Sequence, residues 1–155
     1  MEVTRLPDGV TVINDAYNAN PDSVRAAIEA LEVMARGRRS FAVLGHMTEL
    51  GDDADRLHEQ VGAAAAAAGL AALIVVGDEA APILTGAKAV PGWQGEQLSV
   101  PDATAAIGAL RHRLRAGDVV LVKASHSIHL ERVALALTGE QPRSDQAPAE
   151  AGPVS

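Results

Sequence analysis

The chain has 155 residues, 48% of them apolar, which allows one domain with a genuine core and excludes a chain disordered throughout. Acidic residues outnumber basic ones 20 to 13, for a net charge of −7, and Tyr17, Phe41 and Trp93 are the whole aromatic complement; with neither a basic field nor a stacking platform, nucleic acid is not expected as a partner. Cysteine is absent, which excludes disulfides, thiolate catalysis and thiolate metal sites and agrees with a cytoplasmic setting.

In chain order, "MEVTRLPDGV" lacks the apolar run of a signal peptide, and nowhere does an apolar run approach the roughly 20 residues of a membrane span. Val10 to Ile13, largely β-branched, predict a short buried strand. The polar stretch from Asn14 to Asn20 follows. Its Asn and Asp side chains compete with regular structure and predict a loop. Pro21, Asp22 and Ser23 signal the start of a helix with Val24, Ala27, Ile28, Leu31 and Met34 on one face, ended by Gly37. "SFAVLG" predicts the second strand and runs into the loop "GHMTELGDD". Asp53 or Asp55 opens the next helix, with a stripe of Leu57, Val61, Ala64, Ala65 and Ala68 and a stop at Gly69.

"AALIVVG" is wholly apolar, as a strand covered on both faces should be. A short helix is expected around Glu79 to Thr85, and an edge strand at Gln97 to Val100. Pro101 and Asp102 start a helix that turns Ala103, Ala106, Ile107, Leu110 and Leu114 inward. "GDVVLVKASHS" reads as a turn, a buried strand and a polar loop; the last helix carries Leu130, Val133, Ala134 and Leu137. Residues 1–137 thus form one domain, and the aperiodic stretch from Thr138 to Ser155 reads as a disordered tail.

Alternation of strand and helix predicts an α/β domain, Rossmann-like, with a mostly parallel sheet covered by helices on both faces. Ligands of such sheets bind beyond the carboxyl ends of the strands. The three polar loops should therefore share one edge. There Asp15 could accept hydrogen bonds from ribose hydroxyls or be a surface residue before a helix. Asn18 and Asn20 could orient a phosphate or shape an Asx turn. Lys123 could hold a phosphate or carboxylate or simply emerge from a strand end. Ser125 and Ser127, before the last helix, suggest an anion seat or N-caps. His46, Met47 and Glu49 lie in the second loop, where Glu49 could receive an ammonium. His126, His129 and His46 do not form a tight ligand cluster, so no metal is expected; His58 and His112 read as helix-surface residues. No nucleophile elbow, phosphate loop or dinucleotide fingerprint occurs.

Three segments together, "NDAYNANPDSVRAAIEAL", "VLGHMTELGDDADRLHEQVG" and "VLVKASHSIHLERV", resemble the C-terminal domain of the Mur ligases. The likeness runs from Met1 to about Leu137. Tyr17-Asn18-Ala19-Asn20-Pro21 is similar to the loop of the branch that adds D-Ala-D-Ala to UDP-N-acetylmuramoyl-tripeptide in peptidoglycan synthesis. The resemblance implies an ATP-dependent ligase with Mg2+ and an acyl phosphate intermediate, whose UDP-sugar and central ATP-binding domains lie outside this chain, so that this part alone is inactive. It implies that Asp15, Tyr17, Asn18 and Asn20 face ATP, and that His46, Met47, Glu49, Lys123, Ser125 and Ser127 face D-Ala-D-Ala. The chain departs from the family's usual pattern at Asn14 and His46 (usually Asp), Ala124 (usually Gly) and His126 (usually Arg or a similar residue). A Gly-to-Ala change is tolerated where φ is negative. Two rivals fit the same loops: another Mur-type amide ligase, and a free-standing module that binds a dipeptide or nucleotide.

Overall fold

A computed structural model describes residues 1–139. Six strands form one sheet in the order β1-β2-β6-β3-β4-β5. They are β1 (Glu2–Arg5), β2 (Thr11–Asp15), β3 (Ser40–Gly45), β4 (Ala72–Val76), β5 (Glu96–Val100) and β6 (Val119–Lys123). Only β1 runs antiparallel, against β2; every other neighbouring pair is parallel. Five helices connect and cover them: α1 (Pro21–Met34), α2 (Ala54–Ala67), α3 (Pro82–Lys88), α4 (Ala103–Arg113) and α5 (Glu131–Thr138). The α/β expectation holds, and β5 is the edge strand foreseen.

Strand alternation divides the core between the two faces. Ile13, Leu44, Leu73 and Leu121 point to the face covered by α1, α2 and α3. Val12, Val43, Ile74 and Val122 point to the face covered by α4 and α5. The loops after β2 and β3 therefore lead to one face, while the loop after β6, the strand between them, leads to the other. This is a topological switch point, where a crevice opens beyond the strand ends.

The boundaries differ from the sequence reading in instructive ways. β2 extends through Asn14 and Asp15, which the sequence reading assigned to the loop, because both continue the parallel ladder opposite Val122 and Lys123. β1 was not foreseen. It is largely exposed and has no apolar alternation; a hairpin through Pro7, Asp8 and Gly9 folds it back, with the Val10 N–H donated to Asp8 Oδ1 at 3.0 Å. The short helix splits into a three-ten turn, Asp78–Ala80, followed by α3. Thr138 closes α5 rather than opening a tail, and residues 140–155 lie outside the described residues.

Helix α1 starts at Pro21, as its start signals predict, and the extended residue before it, Asn20, is its N-cap. The Asn20 side chain accepts the Ser23 N–H at 2.9 Å, and Ser23 Oγ accepts the Asn20 N–H at 3.0 Å, a reciprocal capping box. Helices α2 and α3 touch backbone to backbone through two glycines. A Cβ on Gly62 would fall 1.7 Å from the Ile83 carbonyl oxygen, and one on Gly86 would fall 1.9 Å from that of Glu59. No larger residue fits at either position.

Candidate functional site

Parallel pairing brings the carboxyl ends of β2, β6 and β3 side by side, with Lys123 in register with Asp15 on one side and Leu44 on the other. The three polar loops thus meet at one edge, as the strand alternation required. At its centre is Lys123, only 3% exposed. Its Nζ donates to Asp15 Oδ2 at 2.8 Å and to the Asn18 carbonyl oxygen at 2.8 Å. An ammonium this buried needs partners, because desolvating a lone charge costs several kcal/mol or more. Asp15 and the Asn18 carbonyl supply them, and in doing so tie the loop after β2 to the end of β6. Two of the three Lys123 N–H bonds are thereby used by described residues.

The second tie joins the loops after β3 and β6. Ser125, buried, accepts the Thr48 N–H on its Oγ at 3.0 Å and lies 3.3 Å from Thr48 Oγ1; its own N–H reaches the His46 carbonyl oxygen at 3.4 Å. The sequence placed Ser125 and Ser127 at the start of the last helix. The structure instead inserts a three-ten turn, His126–Ile128, and begins α5 at Glu131, so neither serine caps that helix. Ser125 clamps a neighbouring loop, and Ser127 is exposed.

The third tie comes from a residue that sequence reasoning placed wrongly. His58 is not on the surface of α2 but 1% exposed beneath the loop after β3. Its Nε2 accepts the Met47 N–H at 2.9 Å and its Nδ1 lies 2.7 Å from the Ala54 carbonyl oxygen. Those partners require the neutral ring with its proton on Nδ1. Burial is the main cause that lowers the His58 pKa from its ordinary 6.5; the Ala54 carbonyl opposes it, His46 reinforces it and Asp55 opposes it. The His46 ring stacks over that of His58, centroids 5.1 Å apart and planes within 7°. The stripe on α2 was rotated by one position in the sequence reading: His58, Val61, Gly62, Ala65 and Ala66 face inward, since the glycine at 62 lets α3 approach that side.

The remaining residues divide plainly. Met47 has its side chain in the core, so its side chain meets no ligand; it joins the site through its backbone. Asn20 is occupied as the cap of α1. Tyr17 is 76% exposed, with its ring 4.9 Å from that of His126, and His126 is 5.6 Å from His129. Glu49 is exposed in a left-handed bend (φ 64°), and its carboxylate makes no hydrogen bond to a described residue. His129 is the other non-glycine described residue with positive φ. Ala124 therefore keeps a negative φ, as tolerance of alanine there demands; its Cβ is accommodated by Gly45, where an added Cβ would come within 2.9 Å.

Among the described residues no three His, Asp or Glu side chains converge as a metal site, and no helix is long and apolar enough to cross a membrane. A hollow of about 530 Å³ around Trp93, Leu70 and Gly95 lies at the opposite, amino-terminal edge of the sheet. It is remote from these loops.

The site geometry can be set beside known proteins. The family described as "Mur ligase, glutamate ligase domain" matches residues 1–126. The chain is 44% identical to the UDP-N-acetylmuramoyl-tripeptide–D-alanyl-D-alanine ligase of Mycobacterium leprae (strain TN), over 90% of this chain and 30% of that protein. It is 45% identical to the protein of the same name from Mycobacterium tuberculosis (strain ATCC 25618 / H37Rv), over 90% of this chain and 31% of that one. Among solved structures, the MurF ligase from Thermotoga maritima in complex with ADP superposes with a TM-score of 0.71 at 31% identity, covering 90% of this chain and 30% of that chain. This chain spans about a third of the length of the curated relatives it matches. Sequence, fold and the three converging loops agree: the chain belongs to the Mur ligase family, as its C-terminal, glutamate ligase domain.

Proposed function

We propose that this chain is the domain that presents the amine substrate and closes the nucleotide site in an ATP-dependent, cytoplasmic ligase joining D-Ala-D-Ala to UDP-N-acetylmuramoyl-tripeptide. One observation carries the reading: the buried Lys123 ammonium, held by Asp15 and the Asn18 carbonyl where the three loops meet. A third N–H of Lys123 suits a carboxylate or phosphate. The names of the 44–45% identical relatives support the substrate assignment.

The donor set fits a nucleoside on the β2 side. Asp15, partly exposed, offers carboxylate oxygen to ribose hydroxyls, and the exposed Tyr17 ring offers a flat apolar face. Asn18 adds an uncharged amide at the same rim, while Asn20 serves by fixing the start of α1. Bound ATP supplies the phosphoryl group that activates the substrate carboxyl as an acyl phosphate, and Mg2+ is held outside this chain. On the β3 and β6 side, Lys123 and the exposed Ser127 hydroxyl suit the dipeptide carboxylate. His46 and Glu49 flank its amine, and Ser125 and the Met47 backbone hold that loop in place. Catalysis of this type depends on positioning two reactants across a closing interface, so this domain needs its partner domains to work.

The test is steady-state kinetics with the UDP-sugar and nucleotide-binding domains present. Asp15→Ala raises KM for ATP and Lys123→Ala raises KM for D-Ala-D-Ala, each about tenfold to a hundredfold, the scale of one lost charged hydrogen bond. Wild-type constants in both variants would overturn the assignment.

A further inference from the structure

The loop after β3 has an unusual anchorage. Two successive backbone N–H groups, of Met47 and Thr48, are both bound by side chains from other segments: His58 of α2 and Ser125 beyond β6. Ser125 is a hydroxyl and serves at any pH. His58 is different. To accept the Met47 N–H, its Nε2 must carry no proton, while Nδ1–H is directed at the Ala54 carbonyl. A protonated His58 would turn an acceptor into a donor facing a donor.

The groups that act on His58 by charge are His46, stacked across the loop, and Asp55 in its own helix. Because the two rings lie face to face at 5.1 Å, a charge on one disfavours a charge on the other. His46 is part-exposed, whereas His58 is enclosed.

We propose that His58 is a positioning residue for the loop carrying His46, Thr48 and Glu49, active only as the neutral Nδ1–H tautomer, and that its protonation unfastens that loop. This inference rests on the ligase reading only for its effect on substrate; the tautomer and the fastening belong to the chain itself. The loop presents the amine-bearing substrate. Unfastening it therefore raises KM for that substrate while leaving the sheet and the Lys123–Asp15 pair in place.

Nitrogen-15 NMR of the chain tests the device directly. At pH 7.5 His58 carries its proton on Nδ1 and the Met47 amide is protected from exchange. On acidification, His58 gains its second proton in step with loss of Met47 protection, while Val43 in β3 stays protected. In His58→Leu the Met47 amide exchanges about tenfold faster than in wild type at pH 7.5, the equivalent of one lost hydrogen bond, and the difference closes on acidification. His58→Gln, which can accept the N–H but cannot be protonated, keeps the protection and removes its pH dependence. In the assembled ligase, His58→Leu raises KM for the amine substrate about tenfold and His58→Gln restores it.

An Nε2–H tautomer, a protonated His58 beside a still-protected Met47 amide, or acid-induced loss of Met47 protection in His58→Gln overturns the proposal. So does an unchanged KM in His58→Leu when Met47 protection is lost. Failure of the ligase reading is seen separately, in Asp15→Ala and Lys123→Ala.

Discussion

Strand β6 has an aspartate–cation pair at each end, and the two are built to different plans. At its amino end the buried Asp118 accepts from Arg39 Nε at 3.1 Å, Arg39 Nη2 at 2.8 Å and the Arg115 N–H at 2.8 Å. Arg39 also donates to the Arg113 carbonyl oxygen at 2.7 Å and lies over the Phe41 ring. At its carboxyl end Lys123 makes two hydrogen bonds, and its partner Asp15 remains partly exposed. A planar guanidinium that binds in a fork closes a site; a point-charge ammonium with a donor to spare leaves one open. One strand thus carries a closed pair and an open pair five residues apart, and which is which follows from the cation chosen and from how many donors the aspartate already receives.

Asp118→Ala should have the largest effect on stability, about 3 kcal/mol by urea denaturation, since it strands Arg39 and the Arg115 N–H together. Lys123→Met should cost less, about 1 kcal/mol, because Asp15 is partly exposed and water can reach it in place of the ammonium. Equal losses from the two variants would sink the distinction.

The pH dependence comes next. The folded-state pKa of His58 is depressed below 6.5, so between the two values the unfolded chain binds more protons. Its contribution is complete above 6.5 and declines as pH falls toward the native value. Melting temperature should therefore drop as pH is lowered from 7 to 5, and His58→Gln should flatten that slope. The smallest effect belongs to Glu96, whose pKa is lowered chiefly by its hydrogen bonds to Arg113 at the rim. Glu96→Gln should cost about 0.5 kcal/mol, and less in high salt, the usual worth of an exposed pair.

Most of the framework was legible in the sequence, because strands covered on both faces must be apolar throughout and parallel strands must end together. That logic found the shared edge and Lys123 upon it. It did not find the partners within the edge. Asp15 and Lys123 lie 108 positions apart, and only the sheet order, with β6 inserted between β2 and β3, makes them neighbours. β1 was missed although "LPDGV" carries a turn signal in Asp8-Gly9; the strand before it has no apolar rhythm and depends on β2 for its pairing. His58 was missed because a helical stripe anchored on Leu57 runs one position off the face that Gly62, Ala65 and Ala66 turn inward. Small residues mark close approach, and close approach buries whatever stands beside it.

The interlocked glycines of α2 and α3 also have a mechanical meaning. Helices that meet backbone against backbone can neither roll nor slide without collision, so the two behave as one plate. His58 stands one turn before Gly62 on that plate, and the Met47 amide hangs from His58. A load on the loop is therefore taken up by two helices at once instead of one that could creep. What Gly62 and Gly86 contribute to the edge of the sheet some distance away is stiffness.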